Sequence, residues 1–230
     1  AGSGRVPAGF NNIVGLKPTK GLLSARGVVP ACRTQDTVSI FALTTADAAR
    51  VLDIAAIYDA EDSYSRTWPR PRVYEPLPNG LRVGVPAEPL EFCGDSECER
   101  LYGLAVERLR ELGCDIVPFD FNPFREAAAL LYSGPWVAER LAAIKDFASK
   151  KPDSIHDVVR GIIVGAEKIS AVQTFEGMYR LADLVRRAQA EWAKMDLLVL
   201  PTTPTTYKIA DVLADPVRLN SNLGLYTNFV

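Results

Sequence analysis

Leu81-Arg82-Val83-Gly84-Val85-Pro86, then Ser96 to Leu112, then Cys114-Asp115-Ile116-Val117-Pro118-Phe119 read as a strand, a helix and a strand. Ser96 with Glu99 three residues on forms a capping-box pattern, and Gly113 stands where a helix stop is expected. Elements of these lengths in this order predict a right-handed parallel crossover. The fold class that follows is α/β, a mixed β-sheet core flanked by helices. This stretch is scaffold and carries no chemistry of its own.

Outward from it, the pattern continues in both directions. Towards the N-terminus, Ile13 to Leu16, Leu22 to Ser24 and Val38 to Leu43 read as short strands, with Lys17-Pro18-Thr19-Lys20-Gly21 as a turn. Thr44 and Asp47 cap a helix whose buried stripe is Ala48, Val51, Leu52, Ala55 and Ala56. Residues 61–80 hold so many prolines that an extended surface connection is expected. Towards the C-terminus, Asn122-Pro123 opens a helix that Gly134-Pro135 should kink or break. A long helical pattern from Asp157 to Lys194 is weakened by Gly161, Gly165 and Gly177, which predicts a bend or two pieces. Asp196-Leu197-Leu198-Val199-Leu200-Pro201 is a buried strand that delivers Thr202 to Thr206 to a cleft edge. There are no internal repeats.

Composition narrows the function classes. Of 230 residues, 48% are hydrophobic and 23% charged, the balance of a globular protein. A net charge of −2 argues against a nucleic-acid surface, which carries a basic excess. No apolar run is long enough to span a bilayer and no signal-peptide pattern opens the chain, so a cytoplasmic location is expected. Cys32, Cys93, Cys98 and Cys114 form no C-x-x-C pair, and with His156 as the one histidine no metal site is expected. Position 1 is not methionine and the last residues are apolar, so the chain reads as a piece of a longer protein, cut at both ends.

The candidate chemistry lies at the start, in Ala1-Gly2-Ser3-Gly4-Arg5-Val6-Pro7-Ala8-Gly9. A serine among residues with almost no side chain, with backbone N–H groups beside it, suits a nucleophile with a local oxyanion hole. A flexible glycine-rich end would read the same way. The continuation is Val14-Gly15-Leu16-Lys17-Pro18-Thr19-Lys20-Gly21, then Gly27-Val28-Val29-Pro30 and Asp36-Thr37-Val38. In order and spacing this resembles the amidase signature family, with Ala1 where many members have glycine.

The resemblance implies that residues 1–230 are the C-terminal part of a single amidase domain. It makes Ser3 the catalytic nucleophile and gives the oxyanion hole to the backbone of Ala1, Gly2 and Ser3. The family's Ser–cis-Ser–Lys relay places its lysine and second serine before the nucleophile, so Lys17 and Lys20 do not match them. Arg5 is either a substrate anchor or part of a structural ion pair. His156 has no supporting motif and is expected to be a solvated residue at a helix start. No cofactor is implied.

Within the family, Gly9-Phe10-Asn11-Asn12, Cys32-Arg33-Thr34 and the run from Leu130 to Arg140 resemble the allophanate hydrolase branch. That branch holds the substrate carboxylate with a tyrosine and an arginine eight residues apart, as Tyr132 and Arg140 are. Arginine offers a bidentate fork and tyrosine a directional hydroxyl. On a straight helix such positions are about 12 Å and about 80° apart; two long side chains can still converge, more easily with a bend at Gly134-Pro135. Without the family, the same pair reads as a core aromatic and a surface charge. The resemblance implies hydrolysis of allophanate to ammonia and carbon dioxide, a small-molecule substrate, a functional link to urea carboxylase, and neither nucleic acid nor membrane as partner. A homodimer is a further expectation. The alternatives are another family member, such as a general amidase or one component of an aminoacyl-tRNA amidotransferase, and a catalytically inert fragment.

Overall fold

A computed structural model describes residues 2–67, 78 and 80–230. The helical elements are α1 (Val6–Phe10), α2 (Thr45–Ala55), α3 (Ser96–Glu111), α4 (Asn122–Ser133), α5 (Trp136–Lys150), α6 (Asp157–Gly165), α7 (Ala171–Trp192), α8 (Ile209–Ala214) and α9 (Arg218–Leu223). The strands are β1 (Val14–Leu16), β2 (Ile40–Ala42), β3 (Arg82–Pro86), β4 (Asp115–Phe119) and β5 (Leu197–Leu198). The chain divides into two compact units, one of Ala1–Tyr74 with Leu130–Gly177 and one of Glu75–Ala129 with Met178–Val230. The division falls inside α4 and α7. Sheets of both senses flanked by helices give the predicted mixed α/β class. The expected proline-rich connection lies largely outside the described residues. No helix among them is long and apolar enough to cross a membrane.

In the first unit β1 pairs antiparallel with β2, Gly15 facing Phe41 in register. Leu22, Leu23, Ile40, Ala48 and Leu52 form the core above this ribbon. Residues 22–24 are therefore not the expected strand. Leu22 and Leu23 point into the core, while the Ser24 hydroxyl lies 2.8 and 3.0 Å from carboxylate oxygens of Asp59 and Asp62, which hold the segment as a loop. Thr44 caps α2 as expected, accepting the Asp47 N–H at 3.1 Å. Its buried stripe runs through Ala48, Ala49 and Leu52 instead of Val51, which is 45% exposed.

The helical region that follows breaks twice. The Gly134 N–H closes α4 on the Leu130 carbonyl at 2.8 Å, and Pro135, with no N–H to give, starts α5 afresh. The pattern from Asp157 to Lys194 is two pieces. The break comes at Ser170, whose hydroxyl accepts the Gln173 N–H at 3.2 Å while the Gln173 side chain accepts the Ser170 N–H at 2.8 Å. That reciprocal capping box defines the start of α7. Gly177, deep in α7, is there for space: a Cβ on it would collide with the Pro135 ring.

In the second unit the sheet order is β4-β3-β5, parallel throughout, with Val83 facing both Ile116 and Leu197. The N-cap of α3 is Asp95, one residue before the expected Ser96; its carboxylate accepts the Cys98 N–H at 3.0 Å. A carboxylate at that position also meets the positive end of the helix dipole. At the other end Gly113 has φ of 80°, its N–H bonds the Arg110 carbonyl and the Cys114 N–H bonds that of Leu109. This is a Schellman stop, which needs the left-handed residue that glycine supplies. The core gathers Phe119, Phe121, Phe124, Met195 and Tyr226. Tyr226 shares hydrogen bonds of 2.7 and 2.8 Å with the backbone of Glu91, and Tyr102 donates to the Val199 carbonyl at 2.9 Å. Burial pushes both phenols up to about 12. Thr205, expected at a cleft edge, is buried and donates to Asp95 at 2.9 Å. Its hydroxyl ties the end of the sheet to the α3 cap.

Two outcomes follow. Gly84 in β3 lies against Met195 and Phe119 with no room for a Cβ, so Gly84→Val should destabilise the fold by about 1–3 kcal/mol in urea unfolding. The Cys98 N–H and then the Thr205 hydroxyl hold the Asp95 carboxyl below its ordinary value. That contribution is complete above the unfolded value of about 3.9 and is lost as pH falls through the lower folded one. The stability difference between the wild type and Asp95→Asn should narrow steadily in unfolding curves taken below about pH 4.

Candidate active site

Ser3 stands on a single 3-10 turn, Gly2–Gly4, that the Arg5 N–H closes on the Gly2 carbonyl at 3.0 Å. Pro7 opens the short helix α1 immediately after it. The turn is pressed inward by small residues. A Cβ on Gly4 would run into Ser39, and one on Gly15 would meet Ala8 and the Gly4 carbonyl. Gly4 and Ala8 are buried while Ser3 is exposed. Packing on one face of the turn thus turns the serine to the other. Of the backbone set expected to form the oxyanion hole, Gly2 and Ser3 lie on this turn and Ala1 lies outside the described residues.

The surroundings of this turn are cationic. Arg5 is half-buried, and burial pushes its guanidinium down. Lys17 is lowered too, by burial first and then by the positive charges of Arg5 and Lys20. Lys20 is engaged elsewhere, its Nζ donating to the Thr34 carbonyl at 2.8 Å.

Tyr132 and Arg140 come together. Tyr132 lies in the last turn of α4 and Arg140 in the second turn of α5, on either side of the Gly134-Pro135 break. The guanidinium carbon sits 4.8 Å from the centroid of the Tyr132 ring. That is a cation–π distance, between positions that a straight helix would set about 12 Å apart along its axis. Burial lowers the Arg140 value, and Cys32 and Tyr132 more than restore it, so the group stays fully charged.

A loop of residues 31–36 packs on the same helix. The Arg140 Nε–H donates to Cys32 Sγ at 3.3 Å, and the thiol donates to the Trp136 carbonyl at 3.5 Å. Glu139, in the first turn of α5, accepts both donors of Thr34, the N–H at 2.6 Å and the hydroxyl at 2.8 Å. Burial pushes the Cys32 thiol up, with Arg140 opposing, which keeps it neutral at neutral pH. Glu139 and the contact roles of Cys32 and Thr34 were not foreseen from sequence. The available signal was the acid immediately before Arg140 in the first turn of a helix.

His156 is exposed at the N-cap of α6, and its neighbours Asp153 and Asp157 are paired with Arg160 at 3.1 and 2.6 Å. Two surface hollows of the first unit, of about 480 and 710 Å³, are lined around Ser24 and Asp59 and around Ala142 to Phe147. Ser3, Tyr132 and Arg140 line neither of them.

Comparison with known proteins bears on this arrangement. Residues 1–229 match the family model described as Amidase. The urea amidolyase of Lachancea kluyveri is 41% identical over 233 residues, covering 100% of this chain and 13% of that protein. A selenomethionine-substituted allophanate hydrolase from Kluyveromyces lactis matches at 42% identity and a TM-score of 0.95, over 100% of this chain and 38% of that one. A glutamyl-tRNA(Gln) amidotransferase component from Acidobacterium capsulatum is 31% identical over 247 residues, 95% of this chain and 52% of that protein. The chain therefore spans a minor part of the first two.

The burial of Cys32, 3% exposed against an exposed Cys93, orders their reactivity. With iodoacetamide at neutral pH, mass spectrometry should find Cys93 alkylated early and Cys32 last; early loss of Cys32 would contradict the packing of the 31–36 loop.

Proposed function

The chain belongs to the amidase family, and we propose that it supplies the nucleophile and the carboxylate clamp of an allophanate hydrolase. Ser3 Oγ attacks the carbon of the terminal amide carbonyl, and the oxyanion is met by backbone N–H groups of Ala1, Gly2 and Ser3. The serine proton passes through a serine and a lysine that precede the nucleophile in the full-length polypeptide and reaches the leaving nitrogen. The C–N bond breaks, ammonia departs and an acyl-enzyme remains. Water, giving its proton to the same relay, then hydrolyses the ester and regenerates Ser3, and the carbamic product decomposes to carbon dioxide and ammonia. Losing one oxyanion donor in such a site costs about 3 kcal/mol.

The observation that carries the substrate choice is the meeting of Arg140 and Tyr132 across a broken helix. A half-buried guanidinium of full charge beside a phenol suits a small carboxylate better than a neutral amide. The identity to the Lachancea urea amidolyase and the Kluyveromyces allophanate hydrolase supports the same choice. The reading extends to residues 1–230 as the C-terminal part of one amidase domain, to a supply of allophanate by a urea carboxylase, and to a cytoplasmic homodimer. The likeness to the glutamyl-tRNA(Gln) amidotransferase component keeps glutamine as the rival amide.

Ammonia release by the full-length protein from allophanate, an aliphatic amide and glutamine tests this. Allophanate should be turned over far faster than the other two, and Ser3→Ala should cut kcat by roughly 10⁴ or more. Arg140→Ala should raise KM and weaken malonate binding by about 10- to 100-fold, the loss of a charged hydrogen-bond pair. Good turnover of glutamine with none of allophanate would overturn the reading.

A further inference from the structure

The inference rests on the clamp reading above. We propose that Cys32 and Glu139 are positioning residues for carboxylate recognition, setting which edge of the Arg140 guanidinium faces the substrate. A guanidinium presents a carboxylate with two alternative edges, Nε with one terminal nitrogen or the two terminal nitrogens together. The Arg140 Nε–H is given to Cys32 Sγ at 3.3 Å, which closes the first edge. That leaves the edge of the two terminal nitrogens, which the Tyr132 side chain also approaches, for bidentate binding. The Tyr132 ring, 4.8 Å from the guanidinium carbon, holds the group from another direction.

The acceptor is suited to this task because it is neutral. A carboxylate in the place of Cys32 would form an ion pair and compete with the substrate for the charge of Arg140. A thiol accepts the N–H weakly and leaves the charge unspent. Its own proton goes to the Trp136 carbonyl, so the sulfur is fixed from both sides.

The loop has little freedom to carry the sulfur away. The Asp36 carboxylate accepts the N–H groups of Ala31 and Cys32 at 3.0 Å each, and the Cys32 carbonyl accepts those of Gln35 and Asp36 at 2.7 and 2.8 Å. Glu139 then fastens Thr34 to α5 by two hydrogen bonds, and Lys20 reaches the Thr34 carbonyl. Glu139 is the residue before Arg140, so anchor and clamp are neighbours on one helix, and the loop that carries Cys32 is tied beside Arg140.

Malonate titrations by calorimetry, with KM and kcat on allophanate, test this in the full-length protein. Cys32→Ala and Glu139→Ala should each weaken malonate about five- to twentyfold and raise KM in parallel, with kcat within about twofold. Cys32→Ser keeps an acceptor for Nε and a donor for the Trp136 carbonyl, and should restore affinity to within about twofold. Should Cys32→Ala fail to fold, Glu139→Ala reads the same contact from the helix side. Unchanged malonate affinity in Cys32→Ala or Glu139→Ala, while Arg140→Ala weakens it about 10- to 100-fold, overturns the positioning role and leaves the clamp standing. Malonate affinity that survives Arg140→Ala overturns the clamp and this proposal together.

Discussion

Pro135 has no N–H, and the first unit is arranged around that missing donor. Without it the ladder of α4 cannot continue, Gly134 ends the helix on the Leu130 carbonyl, and α5 starts in a new direction. Tyr132 and Arg140 meet across the break. Glu139 falls in the first turn of α5, where a carboxylate is favoured by the helix dipole and can take hold of Thr34. The break therefore sits between the two members of the Tyr132–Arg140 contact and at the start of the helix that anchors the 31–36 loop. The cost of interrupting a helix, about 3 kcal/mol for an interior proline, falls where two helix ends can be satisfied separately.

The serine turn depends on a different economy, that of size. Gly4, Ala8 and Gly15 permit a contact between the turn, α1 and β1 that any larger side chain would prevent. Ser3 is exposed because its neighbours are so completely packed. Arg5 follows this turn directly, Lys17 feels its charge, and burial lowers both.

Much of this was legible in the sequence, for reasons that can be named. Proline and glycine act locally, so the break at Gly134-Pro135, the stop at Gly113 and the interruption before α7 could be read directly. Thr44 with Asp47 was equally plain. What could not be read depended on partners far along the chain. Leu22 to Ser24 has strand composition, yet Asp59 and Asp62 claim it as a loop. Thr205 resembled a cleft residue until its bond to Asp95, 110 positions away, showed it to be a structural tie. The α3 cap was missed by one residue because Asp95 and Ser96 are both good cap formers, and the choice went to the side chain that could also bind Thr205. Tyr132 and Arg140 were singled out by the family resemblance and not by spacing alone, whereas Glu139 and Cys32 make their contacts across about a hundred residues that no periodicity connects.

Gly177 lies in the middle of a 22-residue helix, where a glycine lowers stability, and it is there because the Pro135 ring occupies the space a side chain would take. This makes the two residues a lock without chemistry: no charge, no hydrogen bond, only excluded volume. The start of α5 is thus referenced to a neighbouring helix by shape, a constraint that salt and pH do not screen or titrate. Two side chains that meet through charge, Arg140 over the Tyr132 ring, are thus placed by an interaction indifferent to charge.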